Sequence, residues 1–183
     1  MSRVFNPQRL DVAAFSQAKA ELSGSEPVQH MPRLAAELHG SPEEVAIDWQ
    51  ATGRSMRAVD GAFYPAIHLE AQAVLPLACQ MCMNEALVPI RIDRRVLFVE
   101  GEEAAAALDD QSEEDVLALA SDFNLKELLE DEILMALPLV PRHEQCPEAP
   151  VTSVEDPEFH QAMDEKPKPF AALAALKGAK KDT

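Results

Sequence analysis

Three cysteines and one histidine are placed as metal ligands usually are. Cys79 and Cys82 form Cys79-Gln80-Met81-Cys82, and about sixty residues later His143 and Cys146 form His143-Glu144-Gln145-Cys146. Thiolate and imidazole are the preferred donors of tetrahedral zinc, and a two-residue spacer lets one tight turn aim two sulfurs at one ion. Four such donors would close the tetrahedron, leaving no open catalytic position. The chemistry implied is structural zinc, clipping a turn in the first half of the chain to a loop in the second. The alternative at this level is three reduced thiols beside a surface histidine. A redox role fits less well, because a redox Cys-x2-Cys sits at a helix N-terminus, whereas Met83-Asn84-Glu85 leads into a strand-like run.

The elements that must position these residues are legible from periodicity. Asn6-Pro7 reads as a helix start, followed by Leu10, Ala14, Phe15, Ala18 and Leu22 at helical spacing, with Ser23-Gly24-Ser25 as the stop. A short helix is expected from about Arg33 to Leu38. The period then changes to two. Val45, Ile47 and Trp49 alternate with Ala46, Asp48 and Gln50 as a half-buried strand, Arg54 to Val59 reads as a second, and Asp60-Gly61 as a turn. Ile67, Leu69, Ala71, Ala73, Leu75 and Leu77 share one face of a strand over residues 66–79, in which Pro65 and Pro76 point to an edge or a bulge. Leu87 to Val99 is the returning strand, placing Cys79 and Cys82 at a hairpin tip. Residues 100–120 are acidic and Ala-rich and read as a mobile loop that can end in a helical turn. A helix then starts at Asp122 or Asn124 and carries Leu125, Leu128, Leu129, Ile133 and Leu137, with Glu132 as the polar exception. Pro138 and Pro141 end it and extend the chain toward His143.

These elements give an α+β fold: an antiparallel sheet packed with N-terminal and C-terminal-half helices. Residues 1–147 are expected to form one domain. Residues 148–183 read as a Pro- and acid-rich linker and a short helix with a basic end. In that helix Phe170, Leu173 and Leu176 would cap the core or meet a partner.

Charge narrows the partners. The net charge is −16. Residues 1–99 carry −2, residues 100–165 carry −18 and residues 166–183 carry +4. An acidic middle repels phosphate, so any RNA contact falls to the first half or the tail. Arg91, Arg94 and Arg95, with Arg54 and Arg57 nearby, form one candidate patch, and Lys177, Lys180 and Lys181 another. The blander reading is a charged sheet edge that resists aggregation. Phe63, Tyr64 and Phe98 are the only aromatics near enough to stack a base. Glu130-Asp131-Glu132 is either an exposed acidic face with one acid at the core edge or a docking surface for a basic protein. No apolar run approaches the roughly 20 residues of a membrane span. An odd cysteine count argues against a secreted disulfide framework, and a cytoplasmic location is expected.

Three stretches carry a family resemblance: Leu77-Ala78-Cys79-Gln80-Met81-Cys82, the long run from Leu128 through Pro138-Leu139-Val140-Pro141-Arg142-His143, and Lys166-Pro167-Lys168-Pro169-Phe170 with the Ala/Leu segment after it. Together they resemble the YceD family of large ribosomal RNA subunit accumulation proteins, from about residue 45 onward. Met81 stands where relatives often carry a basic residue. Lys168 interrupts their Pro-Asn-Pro-Phe, and fewer cysteines remain in the second half than in some of them. The resemblance implies a non-enzymatic role in ribosome biogenesis, in accumulation or processing of 23S rRNA. The implied partners are pre-rRNA or ribosomal and rRNA-processing proteins, with no small-molecule substrate and no membrane. The alternative is a zinc-ribbon-like adaptor for a nuclease or polymerase machine.

Overall fold

The computed structural model describes residues 4–147. They belong to the first of two units into which the chain divides, Met1–Pro147 and Glu148–Thr183. Lys177, Lys180, Lys181 and the apolar segment from Phe170 lie outside the described residues.

A five-stranded sheet in the order β1-β2-β3-β4-β5 organises the fold. Strands β1 (Glu21–Pro27), β2 (Ala46–Arg57), β3 (Phe63–Ala78) and β4 (Glu85–Val99) form an antiparallel meander, and β5 (Asp115–Ala118) joins β4 in parallel. Helices α1 (Val12–Gln17), α2 (Pro32–Glu37) and α4 (Leu125–Ala136) contribute to the main core, and α3 (Glu102–Asp109) lies in the β4–β5 crossover. The α+β class and the hairpin carrying the Cys-x2-Cys turn are as the sequence led us to expect.

Period-two alternation separates the two sheet faces. Ile47, Trp49 and Ala51 on β2, Ile67, Leu69, Ala71, Leu75 and Leu77 on β3, and Ile90, Ile92, Val96 and Phe98 on β4 join Leu10, Phe15, Leu34, Leu125, Leu129 and Ile133 in one core. On the other face a small second cluster lies at one end, where Ala105 and Leu108 of α3 cover Ala66, Leu97, Val99 and Val116.

Several expectations are corrected. The first helix is six residues long, capped by Asp11, whose side chain accepts the Ala14 amide, and not by Asn6. It ends at Gln17, and Lys19 just beyond takes a positive φ of 49°. Leu22 and Ser23-Gly24-Ser25 then belong to β1, because their backbone pairs with Ala51 to Asp48. Residues 54–57 continue β2 and form no second strand. Residues 100–120 are not a loop: they hold α3 and β5, made possible by apolar positions at Ala105, Leu108 and Val116. Finally, β3 is a central strand despite two prolines. Pro65 pairs with Ser55 of β2 where the β4 register has not yet begun. Pro76 pairs with Leu87 of β4 beyond the last β2 pair. Each proline sits where β3 has a single strand neighbour, so the missing N–H need not interrupt a two-sided ladder.

Candidate metal centre

The turn between β3 and β4 builds the first half of the centre. The Cys79 amide donates to the Asn84 carbonyl at 2.9 Å and the Met83 amide to the Cys79 carbonyl at 2.8 Å. Met83 takes φ 61°, which closes the turn. The second half is the strap after α4. Leu137 leaves the helix in an extended conformation, and the Pro141 carbonyl accepts the Gln80 amide at 2.8 Å. That single backbone bond lays the strap across the cysteine turn.

The strap carries His143 and Cys146 to Cys79 and Cys82. Cys79 Sγ and Cys146 Sγ lie 3.8 Å apart, and Cys82 Sγ lies 3.5 Å from His143 Nδ1. All four donor atoms fall within 4.8 Å of one another. Zinc at about 2.3 Å from sulfur and about 2.0 Å from nitrogen gives tetrahedron edges of about 3.8 Å for S···S and about 3.5 Å for S···N. Two of the six edges thus match those of such a site and the others stay within 4.8 Å, so the residues fit the ion. All three cysteines are free thiols, Cys79 fully buried and Cys82 and Cys146 half-buried.

His143 is oriented from behind. Its Nε2 lies 2.8 Å from the Glu85 carbonyl oxygen, an acceptor only, so Nε2 carries the hydrogen and Nδ1 keeps its lone pair toward the sulfurs. The Glu85 carbonyl, with the Cys79 side chain, also raises the basicity of this imidazole. Amides of the turn, Cys82's foremost, hold the Cys79 thiol down to about 5 against the opposing effect of burial. Burial, with Cys82 and Cys79 alongside, pushes the Cys146 thiol up to about 11. Neither the Glu85 carbonyl nor the Gln80–Pro141 bond involves a side chain, so residue types give no hint of them.

The basic patch is split by the sheet. Register places Arg91 and Arg95 on the open face of β4, with Arg54 on the same face of β2. Arg94 turns to the other face, its Nε 3.2 Å from Glu132 Oε2. Arg57 donates to the Gly61 carbonyl in the β2–β3 turn. Of the three aromatics, Phe98 is fully buried edge-on to Phe123, Tyr64 donates to Asp60 at 2.7 Å, and only Phe63 is left exposed beside a cation, opposite Arg57. The acidic triplet of α4 is also not a free surface. Glu130 is 5 % exposed and accepts the backbone amides of Arg33 and Leu34 at 2.8 and 3.1 Å. Asp131 pairs with Arg33, and Glu132 is 3 % exposed.

Fold and donor set define a class: an α+β protein whose β-hairpin tip and post-helical strap converge on a Cys3His constellation. Residues 67–177, more than half of the chain, match the family model of the large ribosomal RNA subunit accumulation protein YceD, and the chain belongs to that family. The match takes in β3 from Ile67 onward, β4, α4 and all four donors. No solved structure matches the chain.

Proposed function

We propose that this protein is a non-catalytic ribosome-biogenesis factor required for accumulation or processing of 23S rRNA, with a structural zinc ion on Cys79, Cys82, His143 and Cys146. The family match over residues 67–177 carries the rRNA role. The zinc reading rests on donor atoms spaced as tetrahedron edges. When bound, the ion supplies a cross-link: its four positions are filled by protein, so it activates no water. The chain's own residues hold the turn, fix the imidazole tautomer and draw the strap onto the hairpin.

Deletion of the gene followed by profiling of 23S and 16S rRNA tests the role. Loss of 23S rRNA or altered precursor ends is expected, and unchanged 23S levels and ends would remove the assignment. Complementation with Cys82→Ser tests whether the centre is needed. Native mass spectrometry in gentle buffer tests the ion itself. A mass one zinc above the bare chain is expected, and a bare-chain mass with reduced thiols would remove zinc.

A second reading, an adaptor acting through protein contacts, is favoured by exposed apolar side chains around the centre: Met81, Met83, Leu139 and Val140. Salt separates the two. Phosphate contacts by Arg91, Arg95 or the Lys177, Lys180 and Lys181 tail would weaken steeply with ionic strength. Retention of a ribosomal protein or nuclease without salt-sensitive RNA binding would favour the adaptor.

A further inference from the structure

The open face of the sheet carries a second constellation, remote in function from the cysteines. His68 and Glu70 stand two residues apart on β3, so both point to this face. Asp93 of β4 stands directly opposite Glu70. His68 Nε2 lies 2.7 Å from Asp93 Oδ1, and the imidazole, on a side chain only 13 % exposed, is held against the sheet. One donor atom from each of the three residues falls within 4.8 Å of the other two. Gln50, opposite Glu70 on β2, places a further polar side chain on the same rung. Gln50, Glu70 and Asp93 line a concavity of about 650 Å³ on this sheet, together with Asp48 and Gln72.

Two features separate this group from an ordinary solvated charge cluster. Like charges directly opposite on neighbouring strands are unfavourable, yet Glu70 and Asp93 occupy such a pair. The face is also not strongly acidic, because Arg95 stands opposite His68 and Arg91 opposite Gln72. Any cation selected here would therefore be selected by chelation, since little charge accumulates. An imidazole with two carboxylates on a rigid two-strand platform, open on the solvent side, suits a first-row divalent ion of the Mn²⁺ class, which takes nitrogen and oxygen donors.

We propose that His68, Glu70 and Asp93 form a divalent-cation site on the open sheet face, separate from the Cys3His centre. The ion would replace the hydrogen now shared between His68 and Asp93 and would relieve the opposed carboxylates. This reading is independent of zinc at the cysteines and of any role in rRNA accumulation.

Mn²⁺ tests it, because thiolates are poor ligands for that ion. Full-length, zinc-loaded protein is titrated with Mn²⁺ while paramagnetic broadening of backbone amide signals is followed by NMR. Broadening is expected first at residues 68, 70, 93 and their strand neighbours. Glu70→Gln and Asp93→Asn, both exposed positions, are each expected to weaken the affinity about tenfold or more, with unchanged circular dichroism. First broadening in the acidic segment 100–115, an affinity unchanged from the parent in both variants, or no broadening at millimolar Mn²⁺ would each overturn the site.

Discussion

At the scale of single residues, three buried carboxylates behave in two different ways. Burial pushes Glu130 up, but the Leu34 amide, the Arg33 guanidinium and the Arg33 amide more than offset it and hold the carboxyl below its usual value of 4.5. Glu26 is likewise held down, burial being outweighed by Lys126 at 2.5 Å and His30 at 3.0 Å. A depressed carboxyl contributes stability that is present above its unfolded pKa and lost as pH falls through the folded one. Unfolding free energy should therefore drop as pH falls below about 4.5, and Glu130→Ala should remove part of that slope. Glu130→Ala should also cost about 2 kcal/mol at pH 7, because it strips the amides at the start of α2 of their acceptor. Urea midpoints at pH 7 and pH 4 check both. Glu132 has the opposite sign. Burial, opposed by Arg94 and reinforced by Asp115, keeps its carboxyl raised. Its contribution is present at low pH and lost as pH rises, so Glu132→Gln should be as stable as the parent or more so at pH 7, the gain fading toward pH 4. A less stable Glu132→Gln at pH 7 would contradict this account.

At the scale of elements, α1 and β2 approach each other closely at a glycine. A Cβ on Gly53 would fall 2.4 Å from the Phe15 carbonyl oxygen and 2.7 Å from its carbon. Backbone cannot give way as a side chain can, so Gly53→Ala should destabilise by about 1–3 kcal/mol, read from chemical denaturation. The same scale shows what was legible. The strands at 66–79 and 87–99 were, because strict alternation over long runs has one interpretation. The helix at α4 was, because Asn124 is a capping residue before a clear apolar stripe, and its side chain accepts the Lys126 and Glu127 amides. Helix α1 was overextended because Leu10 and Leu22 happen to keep helical spacing. Only tertiary pairing decides their fate: Leu10 bridges to Phe123 and Leu22 to Ala51. The segment of α3 and β5 was hidden because a parallel strand four residues long carries too few positions to show a period. Of the metal centre, all four donors were visible as residue types. The split of Arg91 and Arg95 from Arg94 follows from alternation alone, once the strand is accepted.

At the scale of the whole molecule, the candidate zinc ion would tie the hairpin tip to the strap without being part of the main core. Chelation should therefore loosen the molecule at one end. Hydrogen exchange should rise at residues 79–85 and 138–147 on metal removal, while β2 and the central parts of β3 and β4 keep their protection. Cys82→Ser should reproduce that pattern and lower the thermal midpoint. Uniform loss of protection would show instead that the ion governs the entire fold. No helix among the described residues is long and apolar enough to cross a membrane.

The central place of β3 has a practical corollary for anyone trimming this chain. Family similarity starts at Ile67, yet that position is the middle of a sheet. A fragment beginning there would discard β1 and β2 and leave six residues of β3 backbone, Ile67 to Gln72, formerly paired with Gly53 through Asp48, without a ladder on that side. Bare strand margins of that kind recruit other chains. Such a truncation should precipitate or multimerise, whereas expression from the first residue should give a well-behaved species, and sizing by light scattering would tell the two apart.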